Sequence, residues 1–503
     1  MKNNREDLTY DKTSLKIDIN NCINKLKVEY QNEEEIYILF RKYNVFDIIK
    51  FSYIKSIENI DKERVIDYQD WNLIQVSFLA LKHSSLYKKT SFKMVDFVNL
   101  YNANNTHNTM ILHKNKSEDN KVNVQKILNY ERDFINNAGF IGQFNRIYHI
   151  LKFISRNEKF INFINSKNIN YIDCIKLIEN LTLINFDMYI DYLFILCLFG
   201  YHNIDVELEI KKFTNDHILY NYDDFIRILN LLSRNVEFFR NTDLDWNILR
   251  VNPIIKTRNE YLVINYIAYC YKLFLSPYWL LRNYYENNNS TDFISFFGYC
   301  FELYLQDFFD NYKIEAKKVP EVNKKMPDWK IETEKFIFLI EQKSSLYPLN
   351  TYSFTNSGNE KSIEKFENNF IEAFEQLNNY NPKTNKTIIR MCLLLESMEM
   401  PEIIEERVLP KIKNLKSKHL NWLINIDDFE KLFYLYSTNT NEFNLIIENK
   451  IKLEETQDMN GRNFRKLLIN AKNDYIENKI DYFTSICEKN LNSMLKLNSD
   501  KYE

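Results

Sequence analysis

Two short segments hold the residues best suited to chemistry: Pro327-Asp328 and, a strand's length downstream, Glu341-Gln342-Lys343. Phosphodiester hydrolysis at neutral pH needs a hydroxide and a way to neutralise charge on the phosphate. Carboxylates holding a hard divalent cation supply both, and a lysine beside them can position the water and stabilise negative charge. Residues i and i+2 of a strand share a face, about 6.5–7 Å apart, so Glu341 and Lys343 point one way and Gln342 the other. If Thr333-Glu334 forms a two-residue turn, Asp328 pairs opposite Leu339. Glu341 is then its diagonal neighbour on the same face, about 7–8 Å away by Cα. One ion fits between two such carboxylates, at about 2.0–2.1 Å from each oxygen. A three-residue turn would separate the acids onto opposite faces, and Thr-Glu is not a favoured hairpin pair.

The tripeptide Glu-x-Lys alone carries no information, because it recurs at Glu209, Glu315, Glu448 and Glu477 in charged stretches. Glu341 differs in ending the apolar run Phe336–Ile340 and in following Pro-Asp at strand-pair distance. Taken singly, Asp328 reads as a turn residue and Glu341 and Lys343 as a solvated strand end; only the combination reads as a site. Two flanking helices add to it. The first carries Glu302 in the otherwise apolar stretch FGYCFELYL, where an unpaired charge is costly. Gly298, one turn earlier, would let a backbone approach. The second carries Gln376 and Tyr380 at i, i+4, groups able to bond phosphate or orient the lysine. Lysines around Asp328, Lys324 and Lys325 among them, form a local patch that either tracks a phosphate backbone or merely solvates a hairpin.

The order helix-Glu, PD, ExK, helix with QxxxY resembles the PD-(D/E)xK nuclease superfamily, and the Gln376–Tyr380 element is similar to that of its RecB-like and phage-exonuclease-like branches. The resemblance covers about residues 290–400. It implies an αβββαβ core with a restriction-endonuclease-like mixed sheet, one or two Mg2+ or Mn2+ ions, and cleavage of nucleic acid, DNA favoured. It implies Glu302, Asp328 and Glu341 as metal ligands, Lys343 as the catalytic lysine, and Gln376 and Tyr380 as supporting groups on the substrate side. Gln342 departs from the pattern, which usually has an apolar residue there, and the polar stretch between Lys343 and Gln376 is unusually long. A large helical region fused to such a nuclease resembles bacterial anti-phage or restriction-type effectors. A catalytically silent nucleic-acid-binding or assembly protein, or an RNA-directed toxin, would use the same fold.

Elements that could position these residues are legible around them. The spacing predicts a helix over 291–312, strands over 313–319, 327–332 and 336–344, a helix over 360–380, a strand over 386–395, and a further strand and helix over 419–426 and 427–436. The run FIFLI is apolar on both faces, as in a central, covered strand. All eight prolines lie between Pro253 and Pro410. Proline punctuates turns and strand edges, so the α/β part is expected at 251–436. An all-helical region over 1–250 would precede it, for binding a partner protein, another copy or substrate, and a helical tail over 437–503 would follow. The 503 residues suit two or three domains, and a net charge of −3 with 45% hydrophobic residues reads as a soluble globular chain. No overall basic excess advertises nucleic acid, so any contact with it must be a local patch. The seven cysteines form no CxxC and the seven histidines no zinc spacing, which points to a reducing, cytoplasmic setting. The apolar stretch Tyr192–Tyr201 is too short to span a bilayer, so no membrane partner is expected.

Overall fold

The computed structural model describes residues 32–61, 68, 70–114, 137–166, 169–217, 219–242, 246, 248–258, 260–320, 325–344, 346, 359–395, 404, 408–456, 464, 467, 468, 470, 471 and 475. Two compact units alternate along the chain. One takes residues 1–120, 199–217 and 229–269, the other 121–198, 218–228 and 270–503. The break expected at residue 250 therefore does not separate them. Prolines mark turns, and Pro253 merely precedes a small strand; which segments pack together is decided by apolar faces, which the proline map does not report.

The first unit is mainly helical, with Glu33–Phe40, Val45–Asp61, Asp70–His83 and Met94–Lys114. Asn32 starts the first of these by accepting the Glu35 N–H, and Glu33, Glu34 and Glu35 fill the first turn, where acids favour the positive end of the helix dipole. A small sheet joins them: β1 (Ser233–Arg234) runs parallel to β2 (Ile254–Lys256), which pairs antiparallel with β3 (Tyr261–Val263). Among the described residues up to 250, the only strand is β1, apart from single bridges at Asn44, Ser85 and Asp205.

The second unit carries a five-stranded mixed sheet in sequential order. Its strands are β4 (Ala316–Lys318), β5 (Trp329–Glu332), β6 (Phe336–Lys343), β7 (Thr387–Leu394) and β8 (Asn421–Asn425). β4, β5 and β6 pair antiparallel, and β6, β7 and β8 run parallel. Parallel neighbours require a crossover, supplied between β6 and β7 by the helix Asn359–Asn379. Residues Phe336 to Glu341 of β6 are all buried, as the two-sided apolar run requires. One face packs Ile337 and Leu339 against Phe370, Phe374 and Leu377 of that helix. The other sets Phe338 against Phe433 and Phe443, from the helices Ile426–Thr438 and Thr440–Glu455, and Trp329 against Phe309 of the helix Asp292–Asn311. Of the tail expected over 437–503, most lies outside the described residues.

No single helix among the described residues is long and apolar enough to cross a membrane. The bent pair Cys174–Thr182 and Phe186–His202 is apolar enough together, but most of the second helix is buried inside the protein.

Candidate active site

The hairpin that sets the acids does not turn where the sequence suggested. Thr333 and Phe336 close it, with the Thr333 N–H on the Phe336 carbonyl at 2.9 Å, so Glu334 and Lys335 are the turn residues. The turn sits one residue later than Thr333-Glu334, which moves the register by two. Because side chains alternate with a period of two, a two-residue shift preserves the face. Trp329 pairs with Ile340, and one step further in the same register Asp328 comes directly across from Glu341 instead of diagonal to it.

Each acid is held by its neighbours. The Asp328 carboxylate accepts the Gln342 backbone N–H at 2.9 Å. Glu341 is 4% exposed and bonds the Lys343 ammonium at 2.9 Å. Gln376, with its amide oriented nitrogen-inward, donates to both Glu341 oxygens at 2.6 and 2.8 Å. The crossover helix thus places Gln376 over the strand it covers. Gln342, the departure from the family pattern, points to the other face and accepts the Trp329 indole N–H at 2.9 Å. An apolar residue there would leave a buried donor unsatisfied.

Two carboxylates face one directly bonded ammonium, with Glu341 buried and Asp328 and Lys343 half-buried. Burial, and then the Asp328 charge, push the Glu341 carboxyl up to about 8 against the pull of Lys343. Burial likewise raises Asp328 despite the backbone donor. Lys343 is held protonated by Glu341 although burial opposes it. Such a pocket favours an added cation, and carboxylate oxygens suit a hard divalent ion.

Glu302 stands apart from this pair as a ligand. Its Oε1 lies 2.9 Å from Lys318 Nζ, and its charge still bears on Asp328. Among the described residues no three His, Cys, Asp or Glu side chains converge as a ready-made metal cage. Gly298 is not a steric necessity either: a Cβ there would meet Ser344 Oγ at 3.5 Å, ordinary contact. Tyr380 falls one residue past the helix that carries Gln376 and packs against the apolar cluster beneath it. The i, i+4 spacing assumed one more helical residue than forms. Lys325 is exposed, with its carbonyl accepting from Asn379 at 3.1 Å, and Lys324 lies outside the described residues.

Lys318 is the site residue that sequence reasoning left within a general patch. It pairs with Trp329 across β4 and β5, its ammonium sits 3.9 Å above the Trp329 ring, and its charge lowers both Asp328 and Glu341. In KIEAKKV nothing distinguishes Lys318 from Lys317, and the β4–β5 register pairs Lys318 with Trp329 rather than with the face of the acids; its charge reaches them from beside Glu302, its ion-pair partner.

No protein-family model matches the chain, and no curated protein or solved structure matches it.

Proposed function

We propose that the chain is a divalent-metal-dependent nuclease of the PD-(D/E)xK type that hydrolyses phosphodiester bonds, with DNA as the favoured substrate. The observation that carries this reading is the facing of Asp328 and Glu341 on one side of a hairpin, with Lys343 bonded to Glu341 and Gln376 aimed at it. A purely structural sheet has no use for a buried Glu341 facing a half-buried Asp328, because their mutual repulsion and desolvation cost stability.

Asp328 and Glu341 would hold the ion, here Mg2+ or Mn2+, which when bound supplies Lewis acidity and a lowered pKa for bound water. Lys343 places its ammonium where negative charge on the phosphate can be met. Gln376 fixes the Glu341 carboxylate by donating to both of its oxygens. Lys318 links Glu302 to the rim and presents a second cation. Glu302 becomes a ligand only if a substrate phosphate draws Lys318 away. A role in anti-phage or restriction-type defence fits a nuclease joined to a large helical region, by analogy of architecture alone.

The deciding experiment incubates the purified chain with supercoiled plasmid, single-stranded DNA and RNA, each with magnesium, manganese or a chelator. Cleavage of DNA that needs the metal and disappears in Asp328→Asn and Glu341→Gln is expected. Binding without cleavage under every metal condition would leave the silent nucleic-acid-binding alternative. Cleavage confined to RNA would select the toxin reading.

A further inference from the structure

We infer that the C-terminal end of the Asn359–Asn379 helix carries a phosphate-tracking surface, formed by Lys325, Lys383, Lys413 and Lys416, along which a nucleic-acid backbone leads to the acid pair. The inference deepens the nuclease reading and rests on it for the identity of the ligand. Three successive helix residues each fix a basic segment. The Leu377 carbonyl accepts from Arg390 Nε at 3.2 Å, Asn378 Oδ1 accepts the Lys416 backbone N–H at 2.8 Å, and Asn379 Nδ2 donates to the Lys325 carbonyl at 3.1 Å. Lys325 and Lys416 are thus held by their backbones, and their side chains are exposed.

The row has length as well as charge. Lys411 is tied to Glu367 at 2.8 Å and the Lys416 backbone to Asn378, two helix positions roughly 16 Å apart at about 1.5 Å per residue, and the row takes up the part of this segment from Lys413 onward. Lys413 lies between these anchors, and Lys383 follows the helix end. All four lysines are exposed, and among the described residues none forms an ion pair or bonds a helix carbonyl. Arg390 is 2% exposed, its guanidinium bonded to the Leu377 carbonyl and Asn381 and, among the described residues, to no acid. Glu372 and Glu375 on the same helix offset part of this charge.

Favourable contact of cations with a helix C-terminus is confined to the last turn. It does not account for Lys413, which lies between the two anchors, nor for ammonium groups that leave the terminal carbonyls alone. Like charges gathered without partners repel one another, whereas a phosphate backbone answers each with an anion. At the other end of the row, Lys325 is three residues from Asp328, and Gln376, in contact with Glu341, is one turn before Tyr380.

The test is the salt dependence of binding, measured by fluorescence anisotropy with labelled duplex and single-stranded oligonucleotides in chelator. Each phosphate contact contributes a slope of about −0.9 for duplex and about −0.7 for a single strand in log K against log salt. The triple variant K383Q/K413Q/K416Q should lose about 2.7 units of slope on duplex. Between 50 and 200 mM salt its affinity should then fall roughly 40-fold less than that of the unmodified chain. The control K50Q/K89Q/K176Q changes net charge equally with exposed lysines elsewhere and should keep the slope. An unchanged slope in the first variant, an equal loss in both, or no binding by the unmodified chain would overturn the surface. A steep lysine-dependent slope with no cleavage under any metal would sink the nuclease reading and leave the surface standing. Cleavage with an unchanged slope would do the reverse. Comparing duplex with single strand tells which form the row follows.

Discussion

Lys343 and Glu341 divide the work of the site by charge type, and substitution should expose that division. Metal affinity rests on anionic oxygens, so Lys343→Ala should leave metal binding intact, measured calorimetrically. Cleavage should fall roughly 100- to 1,000-fold, the usual effect of losing one positioned electrostatic group. An alanine variant cutting plasmid at the parent rate would reduce Lys343 to a strand-end charge. Glu341 makes a second prediction, about stability. Its folded carboxyl is raised from the ordinary 4.5 to about 8. The sign follows from linkage: the folded state holds the proton more tightly, so stability is fully present below about pH 4.5 and is lost as pH rises towards 8. Each unit is worth about 1.4 kcal/mol, so the loss reaches a few kcal/mol. Glu341→Gln removes this dependence and leaves Lys343 unpaired, a constant offset. Melting in chelator at pH 5, 7 and 9 should show the variant gaining on the parent with rising pH. A difference that stays flat across that range would mean Glu341 ionises as an exposed acid does.

At the scale of elements, the hairpin shows what sequence can and cannot deliver. The apolar run of β6 and the helices on either side were legible because burial imposes a periodicity, and observed bounds fall within about three residues of those expected: Phe336–Lys343 against 336–344, Asn359–Asn379 against 360–380. The turn was misplaced by one residue because neither Thr333-Glu334 nor Glu334-Lys335 has the glycine or asparagine that marks a tight hairpin. The site survived that error because the register moved by two and not by one. Lys318 was illegible for a related reason: no sequence rule fixes the pairing of a three-residue edge strand. Gln342 was legible only as an anomaly, since its partner Trp329 lies on another strand. The segment beyond β6 depends on a distant element in the same way. Leu346 donates its N–H to Tyr278 Oη at 3.2 Å and its carbonyl accepts from Arg282, both on the helix Tyr266–Asn287. Arg282→Ala should therefore cost about 1–3 kcal/mol in chemical denaturation, because a buried carbonyl loses its donor. A cost below about 0.5 kcal/mol would show that the clamp is filled by water or not needed.

On the scale of the whole molecule, the interleaving of the two units turns a plausible dissection into a failing one. The sequence invites expression of residues 251–503 as an independent nuclease, because every proline and every candidate site residue lies there. The unit that holds the sheet also includes residues 121–198 and 218–228, however, and one contact makes the dependence concrete. Arg146, 1% exposed, donates to Glu430, 0% exposed, at 2.6 Å through one guanidinium nitrogen and at 3.1 Å through Nε, and reaches Asp427 at 3.0 Å. Glu430 and Asp427 lie on the helix that follows β8 and packs under the sheet. Arg146 holds Asp427 well below the usual carboxylate range, so the charged forms are those the fold requires. Breaking a buried pair by removing one partner leaves an uncompensated charge, typically at a cost of about 3–5 kcal/mol. That is a large share of the 5–15 kcal/mol that stabilises an ordinary domain. The fragment beginning at residue 251 should therefore be protease-sensitive throughout and inactive. Arg146→Met in the full chain should lower stability by a comparable amount without touching the acids of the site. A fragment 251–503 that resists trypsin and unfolds cooperatively would show that the sheet builds its own core, with Arg146 an addition to a unit already complete.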